Sequence, residues 1–68
     1  MEELAYWVLH NHDKSIVDLN ECPKVGYLGY ANGMSTAEWA VVCVADTIIR
    51  KNGGEPKDYF TYNVDSSG

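Results

Sequence analysis

The most suggestive side chains for chemistry are two histidines and two cysteines: His10, His12, Cys22 and Cys43. On an extended strand the two histidines, two residues apart, would share a face, and with both thiols they could hold a tetrahedral zinc ion. Structural zinc sites, however, draw their ligands from close pairs such as Cys-x2-Cys, whereas Cys22 and Cys43 each stand alone. The expectation is no metal and no cofactor, with His12 in a turn, His10 on a strand surface, and each cysteine acting as a small apolar side chain.

A Cys22–Cys43 disulfide would close a loop of about 20 residues and stabilise the domain by about 3 kcal/mol. The acidic start at Glu2 and Glu3 does not fit a secretion signal, so two free thiols in a cytoplasmic protein are expected. Nucleophilic catalysis needs a Cys or Ser beside a His that a third group orients, and no local pattern marks such a set. The glycines of Gly26-Tyr27-Leu28-Gly29, Asn32-Gly33 and Gly53-Gly54 match no phosphate-binding loop. The inventory points to binding rather than to an enzyme.

The elements that must position these residues are few, because 68 residues allow one domain with a thin core. The clearest element is a helix from Thr36 to Lys51. Ser35 and Glu38 have the spacing of a capping box, Met34 and Trp39 that of a hydrophobic staple, and Arg50-Lys51 followed by Asn52-Gly53-Gly54 supplies a stop. At 100° per residue, Ala37, Val41, Val44, Ala45 and Ile48 share the face expected to meet a sheet. Val42 and Ile49 lie roughly 100° away; either the sheet wraps around the helix to cover them or, with Trp39, they form a partner surface.

Alternation of Phe60, Tyr62 and Val64 with Tyr59, Thr61 and Asn63 predicts a strand from Asp58 onward. Val25 to Tyr30 forms another, entered through Cys22-Pro23 and left through Ala31-Asn32-Gly33. Leu4 to His10 and Ser15 to Leu19 flank the polar run Asn11-His12-Asp13-Lys14 and predict a hairpin, although Leu4, Trp7 and Val8 also fit helical spacing. The expected fold is α+β, with a three- to four-stranded antiparallel sheet, one helix packed on one face, and the order β-β-β-α-β. Residues 65–68 are read as a polar end.

Charge restricts the partners. A net charge of −5, with only five basic side chains, argues against direct contact with nucleic acid, whose affinity comes from clustered Lys and Arg. No apolar run is long enough for a bilayer. Five tyrosines and two tryptophans exceed what so thin a core can cover, and Tyr and Trp are enriched at interface hot spots. Tyr27, Tyr30 and Trp39, with Asp13, Asp18 and Glu21 as an acidic edge, are therefore the candidate partner-binding residues. Glu55, Asp58 and Asp65 could form a second edge.

The element order resembles the MbtH-like helpers of peptide synthetases. Where that family carries Trp-Pro and Gly-Trp, this chain has Val17-Asp18 and Gly26-Tyr27, so no residue role carries over. In size, acidity and compact form the chain is similar to small phage-encoded inhibitors, including anti-CRISPR proteins and RNA-polymerase inhibitors. That likeness implies stoichiometric occlusion of a larger host protein or complex, including one that binds nucleic acid. The alternatives are a homodimeric structural subunit joined through Val42, Ile49 and Trp39, and a zinc- or thiol-dependent protein.

Overall fold

The computed structural model describes residues 1–64; the polar end from Asp65 lies outside the described residues. Two α-helices and two short strands, α1 (Glu2–Asn11), β1 (Gly26–Tyr30), α2 (Thr36–Lys51) and β2 (Phe60–Asn63), are joined by single 3-10 turns at Leu19–Glu21, Ala31–Gly33 and Pro56–Asp58. The fold is small α+β, but the expected three- to four-stranded antiparallel sheet is replaced by one parallel pair, β1 with β2.

The predicted N-terminal hairpin is the first correction. Residues 2–11 form α1, and residues 15–18 run as irregular chain into the turn at Leu19. Leu4, Trp7 and Val8 are all buried, which is the i, i+3, i+4 stripe of a helix; strand alternation would have split them between two faces. Glu2 and Glu3 occupy the first turn, where negative charge complements the helix dipole. At the other end His10 Nδ1–H donates to the Tyr6 carbonyl (2.8 Å) and Asn11 Nδ2 to the Trp7 carbonyl (2.7 Å), so both polar side chains fold back onto the last turn. The β preference of Tyr6, Trp7 and Val8 gives way to the packing of α1 on α2.

The parallel pairing is the second correction, and it follows from the first. Without an N-terminal hairpin only β1 and β2 remain, and α2 lies between them, returning the chain so that the second strand runs in the direction of the first. The pair begins where the Val25 and Gly26 N–H groups both donate to the Tyr59 carbonyl, at 2.8 and 3.2 Å.

Helix α2 has the predicted limits and both predicted ends. Ser35 Oγ accepts from Glu38 N–H (3.1 Å), and Glu38 Oε1 accepts from Ser35 N–H (3.0 Å). At the C-terminus Gly53 takes φ +82°, the left-handed conformation that favours glycine. Gly53 N–H bonds the Arg50 carbonyl (3.1 Å) and Gly54 N–H the Ile49 carbonyl (2.8 Å), together a Schellman motif. Asn52 adds a tertiary tie, accepting from Val17 N–H at Oδ1 (3.1 Å) while its Nδ2 donates to the Ile48 carbonyl (2.8 Å).

The buried face of α2 is turned from the expected one. Val42, Ala45, Ile48 and Ile49 are buried, whereas Ala37 and Val44 are exposed and Val41 is half-buried. A second helix, absent from the expected fold, shares α2's apolar surface and draws Val42 and Ile49 inward. Val42, Ile49 and Leu4 of α1 are the largest fully buried side chains, in a core completed by Trp7, Val8, Val17, Cys22 and Phe60.

Candidate functional site

The candidate site is the solvent face of the strand pair, and an irregularity in β1 builds it. Alternation along a regular strand would send Tyr27 and Tyr30 to opposite faces. Here Tyr27 pairs with Thr61 and Tyr30 with Asn63, so three steps on β1 match two on β2. The extra residue is a bulge. Gly26 and Gly29, with φ of +78° and +91°, supply backbone conformations that other residues rarely adopt.

As a result Tyr27 and Tyr30 project beside Thr61 and Asn63, and all four are exposed. Tyr27 and Tyr30 keep 60% and 42% of their surface in solvent, and neither strand contributes an acidic or basic side chain. Asn63 Nδ2 donates to the Tyr27 hydroxyl at 3.0 Å, fixing that ring across the pair. The opposite face closes the core: Phe60 is buried, its ring stacks on Tyr62 (6.4 Å, 20°), and Trp39 of α2 meets Tyr62 edge-on (5.3 Å, 87°).

The other predicted partner-binding residues are dispersed. Val42 and Ile49 are core residues, at 1% and 0% exposure, so the self-association patch drawn from them is occupied within the fold. Trp39 is half-buried, with its ring committed to Tyr62. Asp13, Asp18 and Glu21 are exposed along the connection from α1 to β1, and Asp18 Oδ1 accepts from Asn20 N–H (3.0 Å), capping the turn at Leu19–Glu21.

The thiols and histidines do not converge. Cys22 is buried and Cys43 exposed, both free, and burial pushes the Cys22 thiol up to about 11. His10 lies in the last turn of α1 and His12 is its C-cap, about 200° apart around the axis rather than on one strand face. Among the described residues no three His, Cys, Asp or Glu side chains group as metal ligands. No helix among them is long and apolar enough to cross a membrane.

Sequence reasoning missed one feature, a groove of about 260 Å3 between the end of α1 and the C-terminal half of α2, lined by His12, Lys14, Cys43, Val44, Ile48 and Lys51 among others. Its only signal in the sequence is two adjacent i, i+4 rows on α2, Cys43-Thr47-Lys51 and Val44-Ile48-Asn52; the partner segment at residues 12–14 comes from the fold. Comparison with protein-family models, with curated proteins and with solved structures finds no match to this chain.

Proposed function

We propose that this chain is a non-catalytic protein-binding module that covers a surface of a larger protein or complex with the aromatic solvent face of its strand pair. One observation carries the reading: the β1 bulge places Tyr27 and Tyr30 side by side on an uncharged face, with Tyr27 held by Asn63. Tyrosine offers large contact area for little lost entropy, and a ring already held gives up less freedom on binding. The net charge of −5 supports a basic partner surface, because complementary charge speeds encounter and penalises acidic competitors. Occlusion of this kind needs no reacting group, and it is how a small inhibitor of a nucleic-acid-binding protein would act.

The test is capture from a lysate of the source cells at low salt, comparing wild type, a Tyr27→Ala/Tyr30→Ala variant and a Tyr6→Ala control on α1. The sheet-face variant is expected to weaken binding by about 2 kcal/mol or more, roughly 30-fold, as hot-spot tyrosines do. The control should bind as wild type. Equal capture by all three proteins, or no partner at all, overturns the reading.

A further inference from the structure

The groove between α1 and α2 is independent of the sheet face, and its lining is out of character for the molecule. The chain holds ten acidic and five basic side chains, yet two of the five, Lys14 and Lys51, border this groove with His12, and no carboxylate lines it. Among the described residues the only ion pair is Arg50–Asp46, so both lysines are without an acidic partner there. The helix dipoles explain why a cation follows α1 and another ends α2. They do not explain a shared cavity.

The remaining lining narrows the ligand. Val44, 37% exposed, and Ile48 form an apolar floor, and Cys43 is an exposed wall. Two of the neutral polar groups are already engaged, since Thr47 Oγ1 donates to the Cys43 carbonyl (3.0 Å) and both ends of the Asn52 amide are bonded; the exposed His12 ring is open to a ligand. What the groove offers a ligand is therefore apolar surface, two ammonium groups and the His12 ring, a set weighted toward an anion with an apolar body.

We propose that this groove is a binding site for a small amphipathic carboxylate, with its apolar body on Val44 and Ile48 and its carboxylate between Lys14 and Lys51. A cavity of about 260 Å3 suits a ligand of about ten to fifteen non-hydrogen atoms, at the small end of ligand sites. At the modest efficiency typical of drug-sized ligands, ten atoms correspond to a dissociation constant of roughly a few millimolar.

The exposed thiol provides the readout, because a ligand over Val44 shields Cys43 from alkylation while buried Cys22 reacts slowly. Iodoacetamide modification of Cys43 is followed by peptide mass spectrometry with octanoate, octanol or inorganic phosphate present. Octanoate is expected to slow Cys43 alkylation with saturation at roughly a few millimolar, and neither octanol nor phosphate should do so at the same concentration. A Lys14→Gln/Lys51→Gln variant should bind octanoate about tenfold more weakly, as loss of charged hydrogen bonds implies.

Val44→Trp alters an exposed position and leaves the lysines intact; it should fill the groove and abolish octanoate saturation in a calorimetric titration while the protein melts cooperatively. Protection by octanol equal to that by octanoate, protection by phosphate alone, unchanged affinity in the double-glutamine variant, or no protection by octanoate would each overturn the assignment.

Discussion

The two ends of α2 are stabilised by different means. At the N-terminus Ser35 and Glu38 satisfy each other three residues apart, in solvent, with bonds of 3.0 and 3.1 Å. At the C-terminus the local Schellman bonds are joined by Asn52, which reaches back to Val17, and by Gly54, which lies under Leu19. The first end depends on neighbours in sequence and the second on neighbours in space. A change at the start should cost one cap, whereas a change at the end should also disturb the connection from α1 to β1.

The sharpest test of that contrast is Gly54→Ala. An added Cβ would lie 2.6 Å from Leu19 Cδ1 and 2.9 Å from Ile49 Cγ2; the leucine tip can turn aside, but Ile49 is fully buried. Overpacking of this kind costs about 2 kcal/mol, read as a lower urea midpoint. Asn52→Ala comes next, since it strips the partner from Val17 N–H and removes the donor to Ile48, for about 1.5 kcal/mol. Faster amide exchange at Val17 would show that the tie had opened; unchanged exchange there would break the comparison.

Ser35→Ala at the other end should cost about 1 kcal/mol, the ordinary worth of a cap, and leave exchange at Val17 unaltered. The smallest effect is electrostatic. Hydrogen bonds from the backbone N–H and then the side chain of Ser35 hold the Glu38 carboxyl below its usual range. A lowered folded value means that this contribution is fully present above the ordinary glutamate pKa and is lost as pH falls through the lowered one. Melting temperatures of wild type and Glu38→Gln should therefore converge on acidification, and a gap independent of pH would show that the charge contributes nothing.

The same contrast explains what could be read in advance. Helix α2 was legible to the residue because its signals, Ser35, Glu38, Gly53 and Gly54, act within a few positions. The strands were legible in place, but their direction depends on how many strands there are. That number was miscounted at residues 4–10, where Tyr6, Trp7 and Val8 favour strand while Leu4, Trp7 and Val8 repeat as a helix, and only packing on α2 decides between them. Once α1 exists, the buried stripe of α2 turns to Val42 and Ile49, which removes both from the surface role the sequence suggested.

The candidate site was half legible. Tyr27 and Tyr30 stood out by type, but their common face depends on a bulge that a regular alternation does not foresee. The groove was hidden for a different reason, because it joins residues 12–14 to residues 43–52, and no local pattern relates segments so far apart.

The parallel pairing also has a consequence for how the chain reaches this structure. Tyr27 and Thr61 pair across 34 positions, and closing so long a loop is slow because its entropy is spent before any contact repays it. A helix that forms early compresses the intervening chain to about 1.5 Å per residue over its length, so the ends of β1 and β2 have less space to search. The capping box, which needs no tertiary contact, thus contributes to the rate of sheet formation as well as to the stability of α2. Ser35→Ala should accordingly slow folding more than it speeds unfolding, although Ser35 lies outside both strands.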